Sequence, residues 1–229
     1  MSKFNTEVVY KVTKEAKGDS PEMGYLYLKN IPVTFAVVLA PKKKHKSEDL
    51  AYQVNAFINK DTHEKIDAIG VNKVFAEVGV TKKTKGENRG QVKYPLDEHN
   101  SPYAGMFATQ LTRETIKRDK KTNEITKKFD PLKLVDTEGN PFTEEVGNGS
   151  ICHLKLFCYR SDGMLNTQLD TVVVVDHVPF IRSGGDGFDE ELGITVKSAA
   201  KETKPAIDPE LSSTVDDLSL DDDSDSAPF

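Results

Sequence analysis

The stretch Ile151-Cys-His-Leu-Lys-Leu-Phe-Cys-Tyr-Arg160 alternates without a break. Side chains of a strand point to opposite faces with period two, so Cys152, Leu154, Leu156 and Cys158 share one apolar face and must look inward. The other face carries Ile151, His153, Lys155, Phe157 and Tyr159, with Arg160 at its end. A strand of this kind belongs to a half-buried sheet, and it sets the fold as mainly β. Cationic and aromatic side chains interleaved on an outer face suit an unpaired nucleic-acid strand, because cations meet phosphates and rings stack on bases. In the competing reading Phe157 and Tyr159 pack under a loop or helix, which would bury His153 and Lys155 with them.

Outward from this strand the same pattern recurs. Val8 to Lys14 reads as an edge strand. Tyr25 to Lys29 and Val33 to Leu39 read as two strands interrupted by Pro32, and Leu50 to Ile58 alternates cleanly. The lysines 42, 43, 44 and 46 then fall at a hairpin tip. Asp61, with Glu64 three residues on, predicts a helix start, and Ile66, Ile69, Val74 and Val78 predict a helix running on toward Gly79. Gly105 to Lys117 is a long strand candidate that turns at Asp119 to Glu124 and returns from Ile125 to Val135. Asp136 to Asn140 turns again, Asp162-Gly163 is a further turn, and Gln168 to His177 is the last strand.

Charge divides the chain. Of 37 acidic residues, eight lie between Pro205 and Phe229, where there is no Lys or Arg; the remaining 29 face 31 basic residues, so residues 1–204 carry a net charge of +2. An acidic run with little to bury is expected to remain a solvated tail. A slightly basic body with an acidic tail suggests an anionic partner, with the tail as internal competitor or as a solubility aid. The expected organisation is a domain over 1–182, a linker over 183–204 and the acidic tail over 205–229. Cys152 and Cys158 lie too far apart on one strand to form a disulfide, roughly 20 Å. With no apolar stretch of membrane-spanning length and no signal-like N-terminus, the expectation is a cytosolic protein.

Catalysis has no positive support. The five histidines are scattered, neither GxSxG nor a phosphate-binding GxxxxGK[ST] loop occurs, and Ser183 to Gly187 is a linker rather than a strand-to-helix turn. Basic residues cluster at three places besides the Ile151 strand: Lys43 and Lys44 with their neighbours; Lys82, Lys83, Lys85 and Arg89; and Arg113, Lys117, Arg118, Lys120 and Lys121. With Tyr94, Tyr103 and Phe107 close in sequence, they fit a positive groove that follows a phosphate backbone. No metal or cofactor is expected.

The 119–122 hairpin turn, the return strand Leu132 to Asp136, the VGNGS lead-in at Val146 to Ser150, the valine-rich Gln168 to His177 strand and the ending DDDSDSAPF together carry a resemblance. The chain resembles the single-stranded DNA-binding proteins of tailed bacteriophages, most clearly over residues 105–180 and the tail. That resemblance implies a five-stranded OB-fold barrel with one packed helix and a non-enzymatic protein that binds single-stranded DNA without sequence preference. It further implies work in DNA replication, recombination and repair in the cytoplasm of the infected cell, and leaves room for a homodimer. Asp216, Asp217, Asp221, Asp222, Asp223, Asp225 and Phe229 would contact polymerase or helicase-primase and shield the empty DNA groove. Without Trp, stacking would fall to Tyr and Phe. The alternatives are an RNA-binding OB protein and a protein-interaction or structural module that docks through the tail.

Overall fold

A single strand of 21 residues, β2 (Met23–Lys43), organises the structure. The computed structural model describes residues 4–18, 20–44, 47–119 and 121–180, with the backbone of 188–189 and 194–195. The first half of β2 pairs with β1 (Glu7–Lys14) on one edge and with β9 (Ile151–Ser161) on the other. Its second half pairs with β3 (Leu50–Ile58). The two strands expected on either side of Pro32 are therefore one. Register shifts between Leu28 and Ile31 and between Thr34 and Val37 mark irregularities on either side of Pro32, which pairs with Ile151 at the last position of the β9 ladder before Val33 opens the one with β3.

From β3 the sheet continues through β5 (Phe107–Glu114) to the short β4 (Ala76–Glu77). From β9 it continues through β10 (Met164–Asp176) to β8 (Lys133–Val135), the last pair being parallel. A separate ribbon, β6 (Ile116–Arg118) and β7 (Ile125–Lys128), projects beyond β5. The long 105–117 strand is thus broken at Thr115, and its return is split around Pro131.

The expected closed five-stranded barrel is not what forms. Eight strands make an open sheet that ends at β4 and β8. The edge of β10 that would close on β5 is already occupied. β8 takes residues 171–173, and the segment after the helix takes Leu165, through Leu165 N–H to the Gly70 carbonyl and Asn72 N–H to the Leu165 carbonyl. Between those two, the approach of β5 is bridged by a side chain: Arg113 donates to the Leu169 carbonyl at 3.2 Å.

The helix, α1 (Lys60–Ile69), starts earlier than expected. Asn59 caps it, its side-chain oxygen accepting from Thr62 N–H at 2.8 Å, so Asp61 sits within the first turn. Gly70 ends it in the left-handed conformation at φ 77°. The stripe therefore stops at Ile69, and Val74 is left exposed.

Leu26, Leu28, Leu154, Leu156, Cys152, Cys158, Leu165 and Leu169 form the main core with Ile66 of α1. Both cysteines are free, and burial pushes their thiols up, Cys152 to about 12 and Cys158 to about 11. A second cluster, Phe57, Ala76, Val78, Tyr94, Tyr103, Met106 and Ala108, packs where β3 to β5 meet the 78–106 loop.

The chain divides into two units, Met1–Ile181 and Arg182–Phe229. In the second, β11 (Phe188–Asp189) pairs with β12 (Ile194–Thr195). Among the described residues no helix is long and apolar enough to cross a membrane.

Gly24 sits between β1 and β9: it pairs with Val12 and Cys158, and an added Cβ would fall 2.3 Å from the Lys11 carbonyl oxygen. Gly24→Ala is expected to push β1 away and destabilise the domain by about 1–3 kcal/mol. Amide exchange checks this: β1 should lose protection while β10 keeps it. Uniform loss across both strands would show that β1 does not peel separately.

Candidate nucleic-acid interface

Register assembles the aromatic face. Tyr25 lies opposite Phe157 and Tyr27 opposite Lys155, all on the outer side of the β2–β9 pair, while Leu26, Leu28, Leu154 and Leu156 fill the inner side. Four rings then follow one another. Tyr27 to Tyr25 is 6.4 Å between centroids, Tyr25 to Phe157 is 5.9 Å, and Phe157 to Tyr159 is 6.4 Å. Lys155 Nζ sits 3.8 Å over the Tyr25 ring, and Lys11 Nζ 5.8 Å over Tyr27. Tyr159 is 41% exposed, so its ring is open to a stacking partner.

This row runs into an open cleft of 610 Å³. Phe157 and Tyr159 line it together with Lys117 and Lys127 of the β6–β7 ribbon and Phe129, which follows β7. Lys117 and Lys127 are direct cross-strand partners, an arrangement that costs stability through like-charge repulsion. Neither is within ion-pairing distance of a carboxylate among the described residues. An anion in the cleft would relieve that repulsion. The site thus joins flat apolar faces to two lysines that lack a carboxylate partner among the described residues, with Glu114, paired to Lys44, also in the lining; the combination suits a flexible polyanion carrying aromatic bases.

The residues expected from the sequence fall into three groups. Phe157, Tyr159 and Lys117 line the cleft, and Lys155 stands beside it, its ammonium also 3.4 Å from Asp170. A second group serves the framework. Arg113 donates to the carbonyls of Asp130 and Leu169 and lies 3.6 Å from Asp170. Arg160 donates to Glu22 at 3.1 Å and to the carbonyls of Gly163 and Ile69. His153 accepts from Asn30 N–H at 3.1 Å, and burial together with Lys29 holds its pKa below the usual histidine value. Lys44 pairs with Glu114 at 2.6 Å, and Lys43 pairs with Glu48.

In the third group the expectation of base stacking gives way to packing. Tyr94 and Tyr103 are buried against Phe57, Tyr103 stacked on it at 4.2 Å, and burial pushes the Tyr94 phenol up to about 12. Phe107 stacks on His63 at 4.1 Å. Lys121 lies on an exposed turn held by Asp119. Lys120 and the tail residues Asp216, Asp217, Asp221, Asp222, Asp223, Asp225 and Phe229 lie outside the described residues.

Tyr25, Tyr27, Lys127 and Phe129 are the residues that sequence reasoning missed. The Tyr25-Leu26-Tyr27-Leu28 alternation signalled the first two; Lys127 and Phe129 are brought in only by the ribbon's position.

The chain resembles solved single-stranded DNA-binding proteins of bacteriophages. A C-terminal truncation of the bacteriophage Enc34 protein overlaps 75% of this chain and 98% of its own, at 12% identity and a TM-score of 0.44. The same protein in complex with single-stranded DNA overlaps 75% and 99%, at 13% identity and 0.42. The bacteriophage T7 protein gp2.5 overlaps 82% and 100%, at 15% identity and 0.36. No protein-family model and no curated protein matches the sequence.

The end of β9, and with it Tyr159, is anchored by Glu22, which accepts from Tyr10 O–H at 2.9 Å and from Arg160. Those hydrogen bonds, Tyr10's first, hold the Glu22 carboxyl below its ordinary 4.5. A folded-state pKa below the unfolded one gives stability that is complete above the ordinary carboxylate range and is lost as pH falls through the folded value. Glu22→Gln should therefore be less stable than the parent at neutral pH, with the gap closing at acid pH as the carboxyl takes up its proton in the folded protein. Urea unfolding at both pH values checks it; an unchanged gap would mean that charge on Glu22 does not matter.

Proposed function

We propose that this protein binds single-stranded DNA without sequence preference and is not an enzyme. One observation carries the reading: the exposed Tyr159 ring and the half-buried Phe157 ring on β9 share a cleft with a ribbon whose paired lysines, Lys117 and Lys127, have no carboxylate partner among the described residues. Stacking is indifferent to base identity, and lysines meet phosphates as point charges, so nothing in the cleft calls for a particular sequence.

The wider role follows from the same reading. Strands exposed during phage DNA replication, recombination and repair are the natural ligand, in the cytoplasm of the infected cell. The sheet, bent so that β5 nears β10, serves as an OB-type platform without full closure. The acidic segment ending in Phe229 would recruit replication proteins such as polymerase or helicase-primase, and a homodimer fits this scheme. Support for the segment's role is its composition alone: eight acids and no Lys or Arg over residues 205–229.

Fluorescence titration with oligothymidylate tests the reading. Phe157→Ala and Tyr159→Ala should each weaken binding by about 1–3 kcal/mol, roughly 5- to 150-fold. Lys127→Gln should flatten the log–log salt dependence by about 0.7. Tyr103→Ala should lower the unfolding midpoint and leave the affinity of the folded protein unchanged. A parent protein that binds no single strand at low salt would overturn the proposal, and a preference for RNA of equal length would favour the RNA-binding alternative.

A further inference from the structure

Three lysines outside the aromatic cleft converge on a second one. An open cleft of 630 Å³ is lined by Lys73, Lys83 and Lys93 together with Asn55 and Gln110. The lysines come from separate segments: Lys73 from the connection between α1 and β4, and Lys83 and Lys93 from the two arms of a loop closed by Lys83 N–H to the Gln91 carbonyl and Lys93 N–H to the Thr81 carbonyl. All three are half-buried, unlike Lys82 and Lys85 beside them, which are exposed. None is within 4 Å of a carboxylate among the described residues. Lys73 Nζ has one partner, the Gln110 carbonyl at 3.2 Å. Burial, and then repulsion from Lys93, hold its pKa below the ordinary lysine value. Three partly desolvated cations without a counter-charge are an unfavourable arrangement unless an anion joins them.

The position of this cleft indicates which anion. Gln110 lines it, while Thr112 and Glu114 line the aromatic cleft, and all three sit on the same outer face of β5 at period-two spacing. Gln110 and Thr112 are about 7 Å apart along the strand. The two clefts are therefore neighbouring stations on one surface, the first with rings and two lysines, the second with three lysines and amide side chains but only the edge of a buried tyrosine.

We infer that the Lys73–Lys83–Lys93 cleft holds backbone phosphates of the same nucleic-acid strand whose bases stack in the Phe157–Tyr159 cleft. This rests on the function proposed above and extends it: the strand leaves the aromatic cleft along β5, and its next phosphates are gripped without base stacking.

The test compares oligothymidylates of about 4 and about 16 nucleotides on the parent and on the triple variant Lys73→Gln, Lys83→Gln, Lys93→Gln. On the parent, the longer strand should show the steeper salt dependence. In the variant that slope should fall by about 2, at roughly 0.7 per lost phosphate contact, while binding of the short strand stays unchanged. An unchanged slope on the long strand would overturn the inference and leave the aromatic site standing, whereas a parent that binds neither strand would sink the underlying reading. Pyrophosphate is a further arm. If it raises the melting temperature of the parent and not of the variant while the long-strand slope is unaffected, the cleft takes free phosphate and the shared path is wrong. Should the triple variant not fold, Lys83→Gln alone should lower the slope by about 0.7 on the long strand, and no change would count against the inference.

Discussion

Between Leu28 and Val33 the backbone of β2 leaves its ladder with β9 and enters one with β3. Two residues take the left-handed conformation near this crossing, Asn30 at φ 55° and Phe35 at φ 48°. Asparagine accepts that conformation readily; a phenylalanine there is strained. Each displaced N–H finds a side-chain acceptor, Asn30 on His153 Nδ1 and Phe35 on Asn148 Oδ1 at 2.7 Å. Those acceptors give the donors freed by the bend a protein partner where the ladder no longer supplies one.

Everything at the aromatic face depends on this handover. Because β2 stays in strict antiparallel register with β9 from Met23 to Leu28, its outer tyrosines meet Phe157 and Lys155 rather than the core. A slip of one residue would carry Tyr25 and Tyr27 inward and Leu26 and Leu28 out. The inward leucines hold the register, and the row of rings is its consequence on the other side. His153 belongs with these framework residues: its acceptor nitrogen positions the bend, which suits a ring whose pKa burial and Lys29 hold below the usual histidine value.

Local pattern told much of the fold and part of the site. Strands near 8–14, 50–58 and 151–160 were legible because alternation is a property of adjacent residues, and so was the face on which Phe157 and Tyr159 sit. Bulges were not: in β10 the inward residues are Leu165, Leu169, Val172 and Val174, a phase that shifts at the irregularity between Leu169 and Thr171. Nor was the fate of Tyr94, Tyr103 and Phe107 visible, because proximity in sequence to basic loops says nothing about a second core beneath them. Asn59 outcompeted Asp61 as a cap through a side chain that reaches Thr62 N–H, a choice made by geometry that composition does not record.

Counting cations along the chain also conceals how differently they are used. Arg113, Arg118 and Arg160 each face a carboxylate and at least one backbone carbonyl, work that suits a planar, multi-donor guanidinium joining segments distant in sequence. The lysines at 73, 83, 93, 117 and 127 hold no carboxylate among the described residues, and they line clefts on the surface that also presents Thr112 and Gln110. These three arginines are thus spent on the framework and these five lysines on the open face. That division matters physically, since a compact, hydrated ammonium can follow a shifting phosphate where a guanidinium fixed by several bonds cannot. In the proposed role, such a surface would favour contact with a polyanion in many registers over recognition of one, as a ligand without defined sequence requires.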